Sequence, residues 1–107
     1  MSNSILFTDV TKQTARFAKA LGHPVRLTIL KNLSNQSCCY TGDLVEIIPM
    51  AQSTISQHLK ELKDAGLIKG EIESPKIRYC IDQTNWMKAK RLFNAVFEED
   101  FSNISCI

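Results

Sequence analysis

Ala51-Gln52-Ser53-Thr54-Ile55-Ser56-Gln57-His58-Leu59-Lys60-Glu61-Leu62-Lys63-Asp64-Ala65-Gly66-Leu67-Ile68 reads as one amphipathic helix with a strand starting behind it. Ile55, Leu59 and Leu62 recur at three- and four-residue spacing, so one stripe can be buried against a core. The other face carries Gln52, Thr54, Ser56, Gln57 and Lys60, with no acid among them, and Glu61 and Asp64 come only toward the C-terminal end. Amide and hydroxyl side chains in such an array can read base edges in a major groove and bind phosphates. Ser53 is a candidate N-cap and Gly66 a candidate C-cap.

Working outward, Pro49-Met50-Ala51 makes a tight turn in front of this helix, and a short helix over Asp43 to Ile48, capped by Thr41, precedes the turn. Helix, turn and helix together form a helix-turn-helix. Behind it, Leu67 to Glu73 and Lys76 to Asp82 pattern as two strands about a Ser74-Pro75 turn. In front, helices are expected over Asp9 to Leu21, ending at Gly22, and from Pro24 onward, broken by Ser34-Asn35-Gln36-Ser37. Cys38-Cys39-Tyr40 is a short extended piece, and a last helix is expected from Gln83 to Phe101. The order is helix, helix, strand, helix, helix, strand, strand, helix. The fold class is mainly α with a small β-hairpin wing, a winged helix-turn-helix.

At 107 residues with 44% hydrophobic content, the chain suits one domain spanning 1–107. No apolar run approaches the roughly 20 residues needed to cross a bilayer, so no membrane partner is expected. Met1 to Phe7 lacks a basic segment followed by an apolar block, which points to a cytoplasmic protein. A net charge of only +2 means that nucleic-acid binding must come from a local patch or from groove fit. The four cysteines, Cys38, Cys39, Cys80 and Cys106, read as thiols rather than as a disulfide framework. No Cys-His-acid order, glycine-rich phosphate loop or placed pair of carboxylates is visible, so an enzyme is not expected.

Three segments resemble the ArsR/SmtB type of winged-helix transcriptional repressor over roughly residues 9 to 98. They are Ala20-Leu21-Gly22-His23-Pro24-Val25-Arg26-Leu27-Thr28-Ile29-Leu30, then Gly42-Asp43-Leu44 running into Gln52 to Leu67, and Ile77-Arg78-Tyr79-Cys80-Ile81. The resemblance implies homodimers that clamp pseudo-palindromic double-stranded DNA operators and let go when an inducer, often a thiophilic metal ion, binds. It also implies a dimer interface built from the first and last helices (about 9–21 and 83–101), here carrying Val10, Phe17, Trp86, Phe93 and Phe97. A terminal helix with that much aromatic surface would leave a large apolar patch on a monomer.

The expected DNA contacts are Gln52, Ser53, Thr54, Ser56, Gln57, His58 and Lys60 on the reading helix, with Lys76 and Arg78 in the wing. His58 is equally suited to packing against its own domain. Glu71 and Glu73 work against a strongly adhesive wing, and His23, beside Pro24, suits a structural hydrogen bond better than metal ligation.

The cysteines depart from the pattern of the metal-sensing relatives. Those place Cys-x-Cys just before Asp-Leu, where this chain has Tyr40 and Gly42. A second family site uses His and acidic residues on the last helix, which here has no His. In a winged helix the strand before the helix-turn-helix pairs with the returning wing strand, which sets Cys39 beside Cys80, with Cys38 on the opposite face. Cys38, Cys39, Cys80 and Cys106 are then candidate ligands for arsenite or another thiophilic ion. Small buried apolar residues are the first reading of Cys39 and Cys80, ahead of ligation, and a reversible disulfide is the last. The sequence therefore reads as a homodimeric DNA-binding repressor with an open inducer. A winged-helix protein-interaction module without DNA binding stands beside it.

Overall fold

The structure, a computed structural model, describes residues 7–36 and 38–102. Among them are five helices and three strands, in the order α1 (Asp9–Leu21), α2 (Pro24–Gln36), β1 (Cys38–Tyr40), α3 (Thr41–Ile47), α4 (Gln52–Ala65), β2 (Ile68–Glu73), β3 (Lys76–Ile81) and α5 (Gln83–Phe97). This is the winged helix-turn-helix order expected from the sequence.

The hairpin strands and the end of α3 differ from expectation by one residue each, and four other boundaries differ for local reasons. The polar run at Ser34 does not end α2, because the Ser34 hydroxyl donates to the Lys31 carbonyl inside the same helix at 2.7 Å. Helix α3 starts at Thr41, which is therefore not its cap. Tyr40 holds the cap position, and Asp43 Oδ2 accepts the Tyr40 backbone N–H at 3.3 Å. Helix α4 starts at Gln52 behind Ala51, which places Ser53 inside the first turn and leaves no side-chain cap. Helix α5 stops at Phe97 rather than Phe101, where Glu98, Glu99 and Asp100 set three negative charges against the negative end of the helix dipole.

The core gathers one face of each helix. Ile55, Leu59 and Leu62 of α4 are fully buried against Phe17 and Ala20 of α1, Ile29 and Leu33 of α2, Leu44 of α3, and Leu67 with Ile68 at the start of the hairpin. Helix α4 is thus the central spar, and its orientation is set by its buried stripe. Arg16 of α1 adds an ion pair to Glu61 of α4 at 2.6 Å. Gly66 ends α4 in the left-handed region at φ 89°, where a β-carbon is disfavoured. Its carbonyl accepts from Asn85 Nδ2 of α5 at 2.9 Å, fixing where the last helix begins. Helix α5 fully buries Ala89 alone, while Trp86, Leu92 and Phe93 are half-buried.

The sheet has strand order β1-β3-β2 and is antiparallel throughout. Its register overturns the expected pairing of Cys39 with Cys80. Cys38 lies opposite Cys80 and is joined to it by a disulfide, while Cys39 lies opposite Tyr79. A one-residue shift exchanges the two faces of a strand. Cys39 belongs to the hydrophobic core, so packing holds its side chain inward and leaves Cys38 to meet Cys80. The reading of all four cysteines as thiols is corrected for this pair.

Candidate nucleic-acid interface

Burial of Ile55, Leu59 and Leu62 turns Gln52, Ser53, Ser56, Gln57 and Lys60 of α4 to the exterior, with Thr54 half-buried at the margin. The first turn of α4 contains no acidic residue and no capping side chain. Its unsatisfied N–H groups and the positive end of the helix dipole are therefore open to an anionic partner. Lys60 is paired with Asp64 one turn on at 2.7 Å, but its side chain is 75% exposed, so the pair is weak and exchangeable. Hydrogen bonding to Lys60 still holds the Asp64 carboxyl below its usual range.

His58 is half-buried and turned toward α2. Its ring lies 4.3 Å from that of His23, centroid to centroid, and its Nδ1 is 3.0 Å from Arg26 Nη1. Arg26 also donates from Nε to the Ala20 carbonyl at 2.6 Å, and His23 Nδ1 accepts from the Val25 backbone N–H at 3.1 Å. His23 thus has the structural role foreseen for it. The cluster ties α4 to the α1–α2 junction, and desolvation, with His23 and Arg26 adding to it, holds the His58 pKa below 6.5. Arg26 escaped the sequence reading, because its contact with His58 joins residues 32 positions apart in the chain.

In the wing, Lys76 and Arg78 are placed differently. Arg78 donates to Glu71 at 2.5 Å and forms an ion pair with Glu73 at 3.4 Å, and the Tyr40 hydroxyl donates to Glu73. Arg78 is therefore occupied by the wing's own carboxylates, and the Glu71 carboxyl is lowered by that bond. Lys76 stands at the hairpin tip, its Nζ 5.3 Å from the centre of the Tyr40 ring. Between wing and helix-turn-helix lies a polar cleft of about 500 Å³, with Gln52 and Ser56 on one wall and Lys76 and Tyr79 on the other. Tyr40 was not singled out from sequence, because its role depends on the register of β1.

The described residues contain no group of three His, Cys, Asp or Glu side chains able to hold a metal ion. Cys38 and Cys80 are bonded to each other, and Cys39 is buried, its thiol pushed up to about 11 by desolvation and then by the Asp43 charge. Cys106 lies outside the described residues. Of the residues expected at a dimer face, Phe17 instead belongs to the protomer's own core, at 1% exposure, because it sits on the α1 face that meets α4. Val10 and Phe97 are exposed, and Trp86 and Phe93 line an apolar groove of about 320 Å³ that ends at Phe97.

A recognition helix with an open polar face, carried on a helix-turn-helix and followed by a β-hairpin, defines the winged-helix DNA-binding regulators. The model of the bacterial regulatory protein arsR family matches residues 23–69. Over 70 residues the chain is 39% identical to the HTH-type transcriptional regulator YgaV of Escherichia coli K12, covering 65% of this chain and 71% of that one. Over 95 residues it is 34% identical to the HTH-type transcriptional regulator NmtR of Mycobacterium tuberculosis, covering 89% and 77%. A solved fragment from Mycobacterium bovis, described as a homodimeric winged helix-turn-helix DNA-binding domain, superposes with TM-score 0.66 at 27% identity, covering 90% of this chain and 88% of that one. The chain belongs to the ArsR family of transcriptional regulators. No helix among the described residues is long and apolar enough to cross a membrane.

Proposed function

We propose that this chain is a cytoplasmic, homodimeric, sequence-specific repressor whose single domain reads an operator with α4. The observation that carries the reading is the outward face of Gln52, Ser53, Ser56 and Gln57 on a helix whose other face is locked in the core. Gln52 and Gln57 supply amides that can pair bidentately with adenine, and Lys60 and Lys76 supply phosphate contacts. Two such helices about 34–36 Å apart in a dimer would enter successive major grooves. Thr54 and His58 border this face, and Arg78 serves the wing's own geometry first.

The effector is read from the cysteines. A thiophilic ion such as arsenite calls for about three thiolates. The bonded pair Cys38–Cys80 and the buried, protonated Cys39 support thiol–disulfide chemistry over ligation. To release DNA, an effector must favour the free form, since equal affinity for both forms shifts nothing.

Fluorescence anisotropy with the DNA upstream of the chain's own gene tests the reading. Saturable binding is expected, weakening steeply with salt as counterions are released. Gln57→Ala should lower affinity for that sequence by about 1–3 kcal/mol while leaving binding to unrelated DNA unchanged. A folded dimer that binds no DNA at low salt would replace this reading with that of a protein-interaction module.

A further inference from the structure

We infer that the Cys38–Cys80 disulfide is a reversible clasp whose reduction releases the wing for DNA, with thiol–disulfide exchange entering at Cys38. The inference rests on the DNA-binding reading for its consequence, though not for its chemistry.

The bond joins two strands that lead to different working parts. Strand β1 ends at Tyr40, and the next residue opens α3, the first helix of the helix-turn-helix. Strand β3 starts at Lys76 on the wing tip and ends at Ile81, followed by Asp82, which caps α5 by accepting the Asn85 N–H at 3.0 Å. With β1 clasped to β3, the Tyr40 ring lies beneath Lys76 Nζ and its hydroxyl reaches Glu73, which also holds Arg78. Lys76 is thereby drawn toward β1, while Arg78 is held by the hairpin's own carboxylates. Without the clasp, no covalent bond joins β1 to β3, β1 is kept by the ladder of a three-residue edge strand and the core packing of Cys39, and Lys76 is freed toward phosphate.

The exchange has one open route. Cys38 is half-exposed on the edge strand, whereas Cys80 is buried at 5% exposure. A low-molecular-weight thiolate attacks Sγ of Cys38, and the Cys38–Cys80 bond breaks. The electron pair leaves on Sγ of Cys80, which takes up a proton. A second thiolate then displaces Cys38 as a thiolate, giving the reduced pair and one low-molecular-weight disulfide. Oxidation is the reverse, with that disulfide as oxidant. Cys39 takes no part, because its side chain is packed in the core on the other face of β1, opposite Tyr79 rather than Cys80. In a compartment that keeps thiols reduced, such a bond is conditional, which suits a sensor.

The full-length chain is equilibrated with either dithiothreitol or oxidised glutathione and followed by peptide mass mapping, amide hydrogen exchange and anisotropy on its upstream DNA. The mapping should find Cys38 linked to Cys80 only after oxidation. Reduction should speed exchange in β1 and β3 and tighten DNA binding on the order of tenfold. Cys38→Ser and Cys80→Ala should bind as the reduced chain does in both buffers, while Cys39→Ser should switch like the parent. No Cys38–Cys80 link in oxidised glutathione, equal affinity in both buffers, or continued switching by Cys38→Ser would overturn the inference. If a folded dimer binds no DNA in either buffer, the DNA reading fails and hydrogen exchange decides the clasp: faster wing exchange on reduction upholds it, and unchanged exchange removes it.

Discussion

His58 shows how one side chain can belong to a reading helix and still serve the fold. Burial against His23 and Arg26 disfavours its charged form, so its folded pKa lies below the 6.5 of an unfolded chain. The unfolded state therefore binds more protons as pH falls through 6.5, and folding stability declines until the folded pKa is passed. Urea midpoints should drop between about pH 7 and about pH 5 in the parent and drop less in His58→Gln. A variant with the parent's full pH slope would take His58 out of that role. Gly66 is a second position where geometry decides. A β-carbon there would lie 2.9 Å from Asn85 Nδ2 on a backbone at φ 89°, so Gly66→Ala should cost about 1–3 kcal/mol in urea unfolding. At Gly42 of α3 an added β-carbon meets nothing within 4 Å, and Gly42→Ala should stabilise by about 0.5–1 kcal/mol. Gly66 as a helix end was legible because glycine after a periodic stretch has one common use. The His58 cluster was not, since it joins residues of two helices.

At the scale of elements, legibility followed periodicity. The stripe Ile55, Leu59, Leu62 announced α4, and α1 matched its expected bounds from Asp9 to Leu21. Ends were less legible: whether Ser34 breaks a helix depends on which carbonyl its hydroxyl finds, and patterning does not record that choice. The β1–β3 register was out of reach for a similar reason, because Cys38 and Cys39 are chemically identical and only the core distinguishes them. The wing also divides in a way that its charges alone conceal. Lys76 is exposed at the tip, so Lys76→Ala should reduce the salt slope of DNA binding by about one unit and leave the urea midpoint unchanged. A parental slope in that variant would remove the tip from the phosphate contacts. Arg78 joins β3 to carboxylates of β2, one of which also accepts from Tyr40 of β1. Those groups are more than a third exposed, so solvent screens them, and Arg78→Ala should move the urea midpoint only slightly.

For the whole molecule, the unresolved balance is between what α5 can bury and what it does bury. Within the protomer α5 fully covers only Ala89, while Met87, Val96 and Phe97 stand 49%, 52% and 80% exposed. Val10 of α1 is 62% exposed, and the groove between helices runs from Leu21 past Trp86 and Phe93 to Phe97. No other described residue of the protomer covers this face, and in the proposed homodimer a second copy would bring the same apolar surface against it about a two-fold axis. The first and last helices were expected to pair in this way. Phe17 drops out of that set because α1 spends it on its own core, which shifts the burden to α5. Phe97 is the deciding residue, since it is the most exposed of these apolar groups on α5 and contributes little to the protomer's fold. Phe97→Glu should keep the parent's circular dichroism spectrum yet elute as a monomer by size exclusion with light scattering. Loss of the second half-site contact should then weaken operator binding by at least about hundredfold, because two linked recognition helices bind with an effective concentration that a single one lacks. A variant that stays dimeric at micromolar concentration would move the interface away from α5. One that becomes monomeric with undiminished operator affinity would show that one α4 and one wing suffice to hold the site.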